Sequence, residues 1–107
     1  MKRIIASLLV VFSLFIASPV QAAENGGRIF RANCAACHAM GTNRVMVNKT
    51  LKKDALARYN MDSKEAIVYQ VTNGKRAMPA YRNRLNSSQI EAVAEYVLSQ
   101  AEKGWSR

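Results

Sequence analysis

From about residue 26 onward the apolar residues recur at helical spacing. Ile29, Phe30, Asn33, Cys34 and Cys37 fall at i, i+1, i+4, i+5 and i+8, one face of a helix over about residues 26–37. Glu24 and Asn25 stand at its start, where negative charge and a capping side chain are favourable. A short second helix is expected over about 51–59, with Thr50 as its cap. A third opens with Asp62 and Glu65, a variant of the capping box, turns Ala66, Ile67, Tyr69 and Val71 inward, and stops at Asn73-Gly74. The fourth begins within Asn86–Ser88, carries Ile90, Val93, Ala94, Val97, Leu98 and Ala101 as its apolar stripe, and ends at Gly104. No segment alternates as a strand does. The fold class expected is all-α: one small domain of about four short helices. Two long basic connections, 41–49 and 75–85, separate them, and the second holds Met78-Pro79.

The first residues break this pattern. Residues 4–17 carry no charge, Lys2 and Arg3 precede them, and small residues follow up to Val20-Gln21-Ala22. This is the layout of a cleavable export signal. A run of 14 residues is short for a membrane span, which needs roughly 20 in a helix; the other reading is an uncleaved anchor. Two parts are therefore expected: a removed signal peptide, 1–22, and a domain, 23–107. Loss of Lys2 and Arg3 lowers the net charge of the chain from +9 to +7. A large enzyme, a multidomain protein and a transporter are excluded by length. A chain this short often needs a metal, disulfide or cofactor to complete its core.

The chemistry is concentrated at one place. The chain has two cysteines and one histidine, all within Cys34-Ala35-Ala36-Cys37-His38. A disulfide across so short a loop would stabilise little. A thioredoxin-like dithiol expects a strand leading into the motif, which is missing here. Zinc wants four ligands, and no second Cys or His group completes a set. The remaining reading is covalent haem attachment, for which C-x-x-C-H is the signature. Two thiols one helical turn apart reach the two vinyl groups of a porphyrin, and the next residue can ligate its iron. A flat apolar porphyrin would also supply the buried surface that four short helices lack.

With His38 used, a second axial ligand must be methionine or lysine. Met40 is too close to His38 to reach the other face, Met46 sits in a basic loop, and Met61 reads as packing. Met78 precedes Pro79, which biases it toward extended backbone and suits a pinned loop presenting a thioether. Methionine–histidine ligation is an established haem arrangement that raises the potential. It leaves no open position for a substrate, so a one-electron carrier is expected rather than an enzyme.

These residues resemble the class I c-type cytochromes, and within them the cytochrome c6 family of cyanobacteria and algae. The resemblance rests on Asn33-Cys34-Ala35-Ala36-Cys37-His38, on Asn48-Lys49-Thr50-Leu51-Lys52-Lys53, and on Tyr69 to Lys75 followed by Ala77-Met78-Pro79-Ala80-Tyr81. The closing segment from Ile90 to Trp105 also fits. The resemblance implies one haem c bound through Cys34 and Cys37, with His38 and Met78 on its iron. It implies that Gln70 lies beside the haem and helps set the potential, and that Arg84 docks to photosystem I. It further implies a shuttle in the thylakoid lumen, or a periplasm. Such a shuttle takes electrons from cytochrome f of the cytochrome b6f complex and gives them to photosystem I or a terminal cytochrome oxidase. Arg44, Arg82 and Tyr81 depart from many family members.

Arg44, Lys49, Lys52, Lys53, Lys75, Arg76, Arg82 and Arg84 flank the two expected cofactor loops, so a basic side is expected around the cofactor edge. Such charge speeds encounter with an acidic partner. Nucleic acid is a poor alternative, since no recognition motif is present. A peroxidase-like enzyme would need a distal acid–base residue that the single histidine does not supply. A low-potential relative acting as a redox or gas sensor, in which Met78 dissociates, is the alternative reading.

Overall fold

The computed structural model describes residues 19–106. Most of the expected export segment, 1–22, lies outside the described residues. The elements in order are α1 (Pro19–Asn33), α2 (Ala35–His38), a 3-10 turn (Ala39–Gly41), α3 (Lys53–Arg58), α4 (Lys64–Asn73) and α5 (Ser87–Glu102). Helix is the only regular structure among the described residues beyond one isolated bridge between Lys75 and Met78. The all-α expectation therefore holds.

The core forms where α1 crosses α5. The crossing is close because Gly26 faces it without a side chain. A Cβ placed there would lie 2.1 Å from the Ala92 carbonyl oxygen and 2.8 Å from Tyr96 Cβ. One turn on, Phe30 packs its ring 5.3 Å from Tyr96 and 5.4 Å from Trp105. The predicted stripe of α5 is the centre of the interior: Ile90, Val93, Ala94, Val97 and Ala101 are all buried, while Leu98 is half-buried at the core's edge. The start of α5 is secured by Asn86, whose side chain accepts from Gln89 N while Gln89 reaches back to Asn86 N. A cap of this kind contributes about 1 kcal/mol.

Four expectations on the elements need correction. The first helix neither starts at 26 nor runs unbroken to 37: it begins at Pro19, so positions 24 and 25 lie within it rather than at its start. It bends at Cys34 (φ −116°), although Cys34 N still donates to Phe30 O and His38 N to Cys34 O. The second helix is shorter than 51–59, and Lys52, not Thr50, is its cap position; Thr50 Oγ1 instead accepts from Lys52 N at 3.3 Å. The cap of α4 is Ser63 rather than Asp62, because the Ser63 hydroxyl accepts from Ala66 N. Tyr69 does not turn inward. It is 73 % exposed, since the buried face of α4 passes through Ile67 and Val71 and position 69 lies off that line.

After α4 the chain reverses at Gly74 (φ +73°), where a Cβ would meet Met78 O and Ala80 N at 2.7 Å. The positive φ and the close approach both favour glycine. Lys75 and Met78 then exchange backbone hydrogen bonds of 3.0 Å around a two-residue tip, and Tyr81 N donates to Val71 O. The segment is thereby folded back along α4.

Gly26→Ala is expected to destabilise the protein by about 1–3 kcal/mol, because the added methyl group overpacks a crossing with backbone on its far side. A urea titration should show a lower midpoint with an unchanged slope.

Candidate functional site

A cavity of about 380 Å³ lies between the helices and the two long connections. Phe30, Leu56, Ile67, Val71, Val93 and Val97 give it an apolar lining drawn from α1, α3, α4 and α5. Cys34, Cys37 and His38 reach the cavity from α2 and the bend before it. Gln70, Met78 and Tyr81 reach it from α4 and the loop beyond. Met46 and Met61 line it as well, and Met61 also packs against the core as the sequence pattern indicates. Met40 does not line it and is exposed. Arg84 is exposed and places its guanidinium 5.5 Å from the Tyr81 ring centroid.

Each candidate ligand is held by a group behind it. His38 Nδ1 lies 2.9 Å from the Thr42 carbonyl oxygen. A carbonyl can only accept, so the ring donates from Nδ1 and its Nε2 carries the free lone pair. The chain returns Thr42 to this position through two consecutive left-handed residues, Met40 (φ +56°) and Gly41 (φ +77°). Met78 is half-buried, and Gln70 Nε2 donates toward its sulfur at 3.5 Å. Tyr81 Oη donates to the Asn33 carbonyl at 2.9 Å, which ties the methionine loop to the turn of helix that carries Cys34. Burial pushes the Tyr81 hydroxyl above its ordinary pKa.

Cys34 bears on the choice between chemistries. Burial pushes its thiol up to about 11. A redox-active dithiol needs the opposite, a thiolate favoured at neutral pH. Among the described residues no group of three or more His, Cys, Asp and Glu is spaced to hold a bare metal ion between them. What converges instead is two thiols, an imidazole and a thioether on an apolar cavity. That donor set fits a porphyrin with a soft axial ligand.

The charge pattern is uneven. No Asp or Glu occurs between Glu24 and Asp54, or between Glu65 and Glu91. These two stretches contain both connections that border the cavity. Lys49, Lys75 and Arg76 line it directly. Of the other expected basic residues, Lys53 pairs with Glu102 at 3.1 Å, and Arg82 lines a separate groove. The basic rim is thus narrower than the sequence predicts.

Sequence reasoning singled out Cys34, Cys37, His38, Gln70 and Met78, and the structure brings all five to one cavity. It missed Thr42, which acts through a backbone carbonyl and carries no side-chain signal. It noted Tyr81 only as a departure from many family members, whereas the Tyr81 hydroxyl makes the bond to Asn33.

A family profile described as "Cytochrome C oxidase, cbb3-type, subunit III" matches residues 21–97. Cytochrome c6 of Bumilleriopsis filiformis is 66% identical over 82 residues, covering 77% of this chain and 95% of that one. Cytochrome c6 of Pyropia yezoensis is 52% identical and covers 98% of this chain and 100% of its own. The crystal structure of cytochrome c6 from the diatom Phaeodactylum tricornutum superposes with a TM-score of 0.76 at 50% identity, covering 78% of this chain and 98% of that one. An apolar cavity bearing a C-x-x-C-H motif, in a fold and sequence shared along nearly the whole length of these relatives, makes the chain a member of the cytochrome c6 family, with one covalent haem c carried on Cys34 and Cys37.

Proposed function

We propose that residues 23–107, freed of an export signal at 1–22, work as a one-electron carrier in which His38 and Met78 are the axial ligands of the haem iron. The observation that carries this reading is the convergence of Cys34, Cys37, His38 and Met78 on one apolar cavity, with Thr42 behind the imidazole and Gln70 behind the thioether. Haem c, when bound, supplies an iron that takes up and returns a single electron.

The chain's own residues set the conditions for that exchange. With haem bound, the His38 imidazole and the Met78 thioether would both hold its iron, leaving no open position for dioxygen or a substrate. Thr42 keeps the imidazole in one tautomer with Nε2 available. The Gln70 amide points the positive end of an N–H toward the sulfur, which disfavours the extra positive charge of the oxidised state. Apolar walls exclude water and disfavour that charge further. The Gln70 amide and the apolar walls both favour the reduced form and a high potential. This supports the carrier over the alternative of a low-potential sensor whose methionine dissociates.

In this reading the donor is cytochrome f of the cytochrome b6f complex, and the acceptor is photosystem I or a terminal cytochrome oxidase. The compartment is the thylakoid lumen or a periplasm. Two features support it: the acid-free stretches that border the cavity, and exposed Arg84 resting on Tyr81 beside the methionine loop. Among the described residues no helix is long and apolar enough to cross a membrane. Docking is then weak and fast, and long-range attraction steers it.

Met78→Ala should open the iron to carbon monoxide and lower the midpoint potential; a carbon monoxide difference spectrum that matches the unaltered protein would rule out Met78 as the ligand. Gln70→Val should keep the near-infrared sulfur–iron band. It should lower the potential by about 1 kcal/mol, some tens of millivolts for one electron, as read by redox titration. The second-order rate with an acidic partner should fall roughly tenfold between low salt and about 0.15 M, where the screening length is about 8 Å. Arg84→Gln should flatten that dependence.

A further inference from the structure

Trp105 lies outside the haem cavity, yet it is tied to the loop that positions His38. Its backbone is left-handed (φ +57°) and follows a left-handed Gly104 (φ +65°). This conformation is rare and costly for a bulky residue and persists only where the surroundings enforce it. Trp105 N donates to Gln100 O at 2.8 Å, closing the end of α5. The indole is buried against Phe30 and edge-on to Tyr96, with ring centroids 6.0 Å apart.

From there it grips the histidine loop at two points. The indole Nε1 donates to Leu51 O at 3.0 Å. The N–H of the same residue, Leu51, donates to Gly41 O at 2.8 Å. Gly41 itself lies directly under the ring: a Cβ there would stand 2.4 Å from the Trp105 nitrogen. Gly41 precedes Thr42, and the Thr42 carbonyl accepts from His38 Nδ1.

We infer that Trp105 is a positioning residue for His38: by clamping Gly41 and Leu51 it holds the Thr42 carbonyl on the imidazole Nδ1–H. The inference rests on the reading of His38 as an iron ligand. An imidazole whose far N–H is engaged is a more basic ligand and favours the oxidised state. Loosening the clamp therefore raises the potential, the direction opposite to Gln70→Val.

The test uses the haem-loaded protein with Trp105→Phe, which keeps a ring over Gly41 and removes the bond to Leu51 O. Asn86→Ala, which weakens the cap of α5 away from the loop, is the comparison. In Trp105→Phe, exchange of the Leu51 amide and the His38 Nδ1–H should each rise at least about tenfold, the midpoint potential should rise, and the sulfur–iron band should remain. Asn86→Ala should lower the melting temperature without moving either the potential or the His38 proton. The inference is overturned if Trp105→Phe frees Leu51 but leaves the His38 proton and the potential as they are in Asn86→Ala. Should Trp105→Phe not accumulate, the unaltered protein serves: the Trp105 Nε1–H, the Leu51 amide and the His38 Nδ1–H should exchange through a common opening, and independent rates overturn the clamp. A spectrum of the unaltered protein without histidine ligation would remove the carrier reading and this inference together, whereas a normal spectrum with an unmoved His38 in the variant removes this inference alone.

Discussion

The close crossing of α1 on α5 is the contact on which the rest of the molecule hangs. Gly26 lets the backbones meet, and Phe30, Tyr96 and Trp105 fill the space beside them. The far end of α1 delivers Cys34, and α2 delivers His38. The far end of α5 delivers Trp105. A small shift at the crossing would move the attachment site and the anchor of the loop behind it together. So small a chain has no second core to absorb such a shift.

Haem chemistry sits on this frame through paired groups. The proposed ligands are a ring nitrogen and a sulfur, and each has a partner on its far side: the Thr42 carbonyl for His38, the Gln70 amide for Met78. The two partners act with opposite electronic sense. A carbonyl behind the imidazole strengthens donation to iron, and an N–H on the thioether weakens it. The protein thus holds two separate adjustments of one potential, on different segments. The Tyr81 hydroxyl on Asn33 keeps those segments in register.

The outer surface is organised by the distribution of acids rather than by the number of bases. Six of the seven acidic residues lie in α3, in the turn before α4, at the start of α4 and on α5, and two of them pair with Lys53 and Lys64. The connections bordering the cavity have none. Exposed ion pairs contribute little to stability. Here they engage two lysines, Lys53 and Lys64, that lie outside the two connections.

Much of this is written in local sequence. The helical period, the Asn86 cap and the stop at Gly74 each depend on a few adjacent residues, so they can be read from the chain. So can Cys34, Cys37 and His38, whose spacing is itself the chemistry. Met78 is legible because Pro79 restricts its backbone. Tyr69 is not, since apolar residues run consecutively from 66 to 69 and define no single face until Ile67 and Val71 are seen in the core. The Ser63 cap is a choice between adjacent candidates that only the approach of the chain decides. The roles of Thr42, Tyr81 and Trp105 are not legible: Thr42 acts through a backbone carbonyl that carries no side-chain signal, and Tyr81 and Trp105 act through contacts spanning 48 and 54 residues that end on backbone carbonyls far away in the chain. The sequence by itself determined which groups the proposed chemistry draws on, because that follows from residue type and short spacing. Tertiary structure alone decided how those groups are aimed, because aiming depends on the partner each one meets once the loops are folded and tied down.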